Sequence, residues 1–231
     1  MALGRVTLES VDPISDDATM PTDHELPTLK QHSPRAAAGS GYVPEQIARD
    51  YLLVFGRLLT AIDIDAVCRV VQRLREARDN DGTVYVAGNG GSASTATHLA
   101  NDLGKATKQS GRTPFRVLSL TDNASWLTAL ANDEGYDRVF TGQLENFARR
   151  GDVLIAISAS GSSPNLVNAV EFARGVGIVT IGLLGFDGGV LKDLVDEVLW
   201  VESEKGLYGP VETAHVLLCD MLSTCLLDDR P

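Results

Sequence analysis

Five short apolar runs alternate with stretches of helical periodicity: "TVYVAG" from Thr83, "FRVLSL" from Phe115, "VLIAIS" from Val153, "IVTIGLL" from Ile178 and "EVLWVE" from Glu197. No other feature of the chain constrains its fold as tightly. The runs are nearly continuous in apolar residues, as strands covered on both faces must be. The alternation predicts an α/β fold, a five-stranded parallel sheet with helices on both faces. Ligands bind such sheets beyond the carboxyl ends of the strands, near the reversal of strand order. The loops to read are therefore 88–92, 120–125, 158–163 and 185–189.

Helical patterns flank this core. From Pro44 to about Arg78 the apolar residues Ile47, Tyr51, Val54, Phe55, Leu58, Leu59, Ile62, Val67, Val70, Val71 and Leu74 predict one long N-terminal helix. Its apolar stripe is wide for a lone surface helix, which suggests packing on a neighbouring subunit as well as on its own core. A last helix is predicted from about Gly209 to Leu227. Residues 1–41, rich in Pro, Asp, Ser and Thr, read as a flexible extension in which His24 and His32 do no chemistry. Residues 42–231 form the folded domain, and a hydrophobic share of 44% in 231 residues is enough for one core.

A net charge of −11 argues against nucleic acid, which needs a basic face. No apolar run reaches membrane-spanning length and the N-terminus lacks a secretory core, so a cytoplasmic protein without membrane contact is expected. Cys68, Cys219 and Cys225 show neither metal-ligand spacing nor an even count. They read as buried free thiols.

The loop after the first strand, in "VYVAGNGGSASTATHLANDLGK", is rich in glycine, as loops that cradle phosphate are. It lacks the lysine that a nucleoside triphosphate site places at the helix start. Ser92 and Ser94 stand there instead, so no nucleotide cofactor is expected, and any phosphate is small and held by neutral donors. The third strand runs into "SASGSSPN", with Ser158, Ser160, Gly161, Ser162 and Ser163 before Pro164 at a helix start. Exposed N–H groups at a helix start favour an anion, and serine hydroxyls rotate to suit phosphate oxygens. Any one of these serines could be an ordinary cap. The cluster, matched by Ser92 in a second such loop, points to phosphate.

"GNGGSASTATHLANDL", "SLTDNASWLTALANDEGYDRVF", "GDVLIAISASGSSPNLVNAVEFARGVGIVTIGLLGFDGG" and "GPVETAHVLLCDMLS" together resemble the sugar isomerase (SIS) domain superfamily, and more narrowly its phosphoheptose isomerase branch. The likeness runs from about residue 44 to 227. It implies a flavodoxin-like sheet and an isomerase interconverting a ketose and an aldose phosphate of seven or eight carbons, sedoheptulose 7-phosphate being the family's usual substrate. It also implies a homodimer or homotetramer. The alternative within the superfamily is a non-catalytic module that binds sugar phosphate or a protein partner.

Proton transfer between C1 and C2 through an enediol(ate) needs a base, an acid or electrophile, and exclusion of water. His98 and Asp102, four residues apart, lie roughly 40° apart around a helix and so on one face. The family pattern there is His-x-x-x-Glu, with the glutamate as base; Asp102 keeps the carboxylate but shortens its reach. On the last helix the family pattern Gln-x-x-His-x-x-x-x-His becomes Glu212, His215 and Asp220. The resemblance implies either a zinc site (or Mn²⁺ or Fe²⁺) built from His98, Asp102, Glu212 and Asp220, or acid/base work by His98 or His215 without metal. Asn89, Gly90, Ser92, Asp122, Ser158, Ser160, Ser162, Ser163 and Glu212 are the expected substrate and phosphate contacts. Asn132-Asp133 in "ANDEGY" matches a family motif, with turn formation as its other role, and "GFDGG" reads as a structural turn.

Overall fold

The structure, a computed structural model, describes residues 43–227; the expected extension over 1–41, with His24 and His32, lies outside them. Five parallel strands form one sheet: β1 (Thr83–Gly88), β2 (Arg116–Ser119), β3 (Val153–Ser158), β4 (Val179–Leu184) and β5 (Glu197–Trp200), in the order β2-β1-β3-β4-β5. Strand order reverses between β1 and β3, paired in register from Val84↔Val153 to Gly88↔Ile157. β1 and β3 are buried at every position, which is why their sequences are apolar runs without alternation.

Two apolar layers sandwich the sheet. One packs Val84, Val86, Val153, Ile155, Ile181 and Leu183 against α2 (Ile64–Asp79), α3 (Gly91–Asn101) and α8 (Tyr208–Leu227). The other packs Tyr85, Leu154 and Ala156 against α4 (Ala124–Asp133), α5 (Thr141–Phe147), α6 (Pro164–Gly175) and the short α7 (Leu191–Leu194). The expected α/β sheet is therefore present. The single long helix over 44–78 is instead α1 (Pro44–Thr60) followed by α2. Asp63 makes the break: its carboxylate accepts from the Ala66 N–H at 3.1 Å and caps α2, a better use of a short acidic side chain than a place inside a helix. The thiols need a correction as well, because Cys219 is buried while Cys68 and Cys225 are exposed.

One helix among the described residues, α8, is long and apolar enough to cross a membrane by length and composition, contrary to the reading of the sequence. Its Val211, Ala214, Leu218, Leu222 and Leu226 all lie in the core, so its apolarity follows from a central place in the fold. His215 lies on the same buried face, fully inaccessible. Neither ring nitrogen has a hydrogen-bond partner of good geometry. Desolvation lowers its pKa to about 4, only partly opposed by the Leu184 carbonyl.

His215 thus folds as the neutral ring, whereas the unfolded chain takes a proton near pH 6.5. Stability contributed by the neutral form is complete above pH 6.5 and falls as pH drops toward 4, by roughly 3 kcal/mol at the limit. Urea unfolding at pH 7 and pH 5 should show His215→Phe losing less stability on acidification than the parent. Equal losses would refute this assignment.

Candidate active site

β1 ends at Gly88, and the chain turns through Asn89 and Gly90 into α3. Gly90, with φ +55°, is the residue before the first helical turn, and a side chain there would be strained. β3 ends at Ser158 and turns through Gly161 into α6. Gly161 has φ +60°, and a Cβ on it would lie 1.9 Å from the Gly188 carbonyl oxygen. The "GFDGG" turn is accordingly the floor on which the serine loop rests, joined to it by the Leu191 N–H donating to the Gly161 carbonyl at 2.9 Å.

Between the two loops lies a cavity of about 160 Å³, lined by Asn89, Ser92, Ser158, Ser160, Ser163, Tyr208 and Glu212 among others. Ser158 Oγ accepts from the Gly161 N–H at 3.0 Å, which holds the loop's shape. Ser163 occupies the cap position of α6 without capping it through its side chain, so its hydroxyl is spared for the cavity. Ser162 does not line the cavity: its hydroxyl donates to the Ser160 carbonyl at 3.2 Å and braces the loop. α3 and α6 both begin beside this cavity, Ser92 and Ser163 lining it, and helix starts favour an anion. Among the described residues, no lysine, arginine or histidine lines the cavity.

Glu212 is the exception in this neutral setting. Its carboxylate lies against the Cα of Gly91, so closely that any side chain at 91 would collide with it. Burial raises its pKa.

Farther along α3, His98 Nε2 lies 3.1 Å from Asp102 Oδ2 and 2.9 Å from Asp220 Oδ1. The three donors are all within 4.8 Å of one another. One ring N–H cannot serve two carboxylates fully, so the arrangement has room for a cation among the donors. The helix changes character at this point: from Asp102 to Ala106 it widens into a π turn, with the Thr107 N–H reaching back five residues to the Asp102 carbonyl. Such widenings recur at functional sites.

The structure thus divides the sequence-derived set. His98, Asp102 and Asp220 converge. Glu212 does not join them within one chain, because eight residues of helix put it about 12 Å from Asp220; it stands in the serine cavity instead. His215, expected as an acid/base candidate, is corrected to a core residue by its complete burial. Asp122 accepts from the Thr97 hydroxyl and lines a separate cavity of about 810 Å³ beneath β2, with Trp126, Gln143 and Phe147. Asn132 and Asp133 bond each other at the end of α4, before the Gly135 turn. Three residues went unread in the sequence: Asn165, Tyr136 and Tyr208. The only signal was a polar residue following the helix-starting proline, within a loop already singled out.

A family profile described as SIS domain matches residues 50–185. A phosphoheptose isomerase of Helicobacter pylori (strain Shi470) is 41% identical over 156 residues, 68% of this chain and 80% of that one. Its counterpart in Geotalea daltonii is 38% identical over 167 residues, 71% of this chain and 86% of that one. Among solved structures, the phosphoheptose isomerase of Neisseria gonorrhoeae superposes with a TM-score of 0.72 at 28% identity, covering 80% of this chain and 98% of that one. The chain belongs to the SIS domain family and, within it, to the phosphoheptose isomerases.

Proposed function

We propose that the chain isomerises sedoheptulose 7-phosphate to an aldose phosphate by moving a proton between C1 and C2 through an enediol(ate). One observation carries this reading beyond kinship. The serine cavity and the His98–Asp102–Asp220 cluster lie at the two ends of the α3–α8 seam, where Glu212 meets Gly91 and Asp220 meets His98. Ser92 and His98 are six residues apart on α3, a rise of about 9 Å. An extended seven-carbon sugar bridges such a gap, with its phosphate among the serines and its C1–C2 end at the cluster. A non-catalytic binding module would need the cavity but has no use for the cluster.

In this reading Asp102 takes the proton from one carbon and returns it to the other. His98 orients Asp102 and, with Asp220, serves the oxygens at C1 and C2. Asn89, Ser92, Ser158, Ser160, Ser163 and the backbone N–H groups around Gly90 hold the phosphate, while Ser162 braces their loop. Asp122 is assigned to substrate hydroxyls. One imidazole nitrogen with two carboxylate oxygens suits Zn²⁺, Mn²⁺ or Fe²⁺, so His98, Asp102 and Asp220 would hold such an ion. When bound it supplies an electrophile for the oxygens of the enediolate.

Enediolate chemistry requires that water be kept out, yet the side chains of His98 and Asp220 are 41% and 60% exposed. Leu52 and Leu53 on α1 are 68% and 56% exposed, and Leu118 leaves the open edge of β2 half bare. These faces support a homodimer or homotetramer in which a second copy covers the site. A cytoplasmic location suits a substrate that is an intracellular sugar phosphate.

Incubation with sedoheptulose 7-phosphate in D₂O, followed by NMR, should show exchange at C1 or C2 and an aldose phosphate. Chelation should suppress the exchange and Zn²⁺ or Mn²⁺ restore it; exchange indifferent to chelation would remove the metal from the proposal. Asp102→Asn should abolish exchange while leaving phosphate affinity intact. Glu212→Gln should lower the dissociation constant of inorganic phosphate, most clearly toward alkaline pH, because it removes a carboxylate facing the dianion; calorimetry reads this directly. Leu52→Asp should reduce the assembly size in light scattering and lower turnover with it. A monomeric parent protein with full activity would overturn that last expectation.

A further inference from the structure

Asn89 stands at the end of β1, where strand order reverses, and lines the serine cavity. Its amide is held on two sides. Asn89 Nδ2 donates to Asn165 Oδ1 at 2.9 Å, and Asn165 Nδ2 donates back to Asn89 Oδ1 at 2.9 Å. The hydroxyl of Tyr136 also donates to Asn89 Oδ1, again at 2.9 Å. A carboxamide offers two N–H donors and two acceptor lone pairs on its oxygen. Here both lone pairs are filled and one N–H is used. What Asn89 retains for a ligand is a single N–H.

The reciprocal pair with Asn165 alone would not fix that outcome, because both amides could flip together and keep their two bonds. Asn89 would then turn its oxygen toward the cavity, and a phosphate would meet an acceptor. Tyr136 breaks the symmetry, since a phenol donates more readily than it accepts and so selects the state with oxygen toward itself. Asn165 is 2% exposed on the second residue of α6, so it gains from being paired. Tyr136 is 61% exposed, and its hydroxyl has water for a partner in any case. Its bond to Asn89 is therefore not needed to satisfy a buried group. The turn that carries it, Tyr136–Arg138, is tied to the same helix by Asn168 Nδ2 donating to the Asp137 carbonyl at 3.1 Å. It is braced further by Arg138 pairing with Glu145 at 2.7 Å. The "ANDEGY" turn thereby acquires a use: it delivers a phenol to the phosphate loop.

We infer that Tyr136 and Asn165 are positioning residues, which convert Asn89 from an ambivalent amide into a one-way donor to the substrate's phosphate. This rests on the reading of the serine cavity as the phosphate site. Neither residue touches the reacting carbons, so their loss should appear in binding and leave the chemistry intact.

Tyr136→Phe removes one hydroxyl from an exposed ring and leaves the backbone turn in place. It should raise KM for sedoheptulose 7-phosphate about three- to tenfold, the worth of one hydrogen bond, with kcat and Tm unchanged. The dissociation constant of inorganic phosphate, measured by calorimetry, should rise by the same factor. Asn165→Asp keeps the shape but cannot donate to Asn89, and it should weaken phosphate further. Unchanged phosphate affinity in Tyr136→Phe would overturn the inference, as would a fall in kcat and Tm with KM constant. Because phosphate binding is read apart from turnover, a parent protein that turns over no sedoheptulose 7-phosphate would sink the isomerase reading alone. The phosphate comparison would still decide this one.

Discussion

The close packing of α3 on α8 is the contact on which the site depends. Both helices leave the same edge of the sheet, Gly91 meets Glu212 at one end, and His98 meets Asp220 at the other. Small side chains allow the approach: Ala96 on α3, and Ala214 and Cys219 on α8, are wholly buried in the shared core. Parallel strands make this arrangement available, because every crossover helix must start from the carboxyl edge. The last helix, however, is not a crossover. It is free to lie wherever its apolar face is best covered, and it lies along α3.

That geometry sets an electrostatic problem at each end of the α3–α8 seam. On the proposed function, an anion must be held at the serine end without a basic side chain in the cavity, in a chain of net charge −11. Helix-start N–H groups can do this because they are fixed dipoles that lose little on binding, and the serine hydroxyls turn to meet the oxygens. Glu212 works against them. Desolvation already disfavours its charged form, which moderates the repulsion. At the other end two carboxylates share one imidazole nitrogen, an arrangement that a bound cation would resolve on the proposed function. On the proposed function the site is thus polarised, neutral donors toward the phosphate and acceptors toward the carbons.

The sheet was legible because apolar runs of strand length, bounded by glycine and spaced by helical stretches, fit little besides a parallel sheet covered on both faces. The pairing of His98 with Asp102 was legible because helical spacing alone puts them on one face. What escaped the sequence depends on contacts between distant segments. His215 shares its helix with Asp220, and periodicity separates them without saying which faces the core. Glu212 and Asp220 read as one ligand set on motif order, though a helix's rise divides them. The break at Asp63 was visible as an acidic residue after Ile62, but a continuous apolar stripe on both sides outweighed it. Asn165 and Tyr136 meet Asn89 from 76 and 47 residues away, and no local pattern reports such a meeting.

The departures from the family pattern take on a different meaning once the cluster is seen whole. Aspartate at 102 is one methylene shorter than the glutamate of the family pattern. Here it still comes within 3.1 Å of the ring, and the π turn begins at that very residue. The Asp102 N–H still donates to the His98 carbonyl, so the turn joining the two residues is ordinary α-helix and the side chains meet by helical spacing, the widening beginning only after it. Asp220, likewise, exchanges an imidazole for a carboxylate yet still converges on the same nitrogen at 2.9 Å. Two of the three donors differ from the family pattern, and all three nonetheless converge. On the proposed function, that convergence is what a site with altered donors requires, and it favours reading the substitutions as retuning over decay.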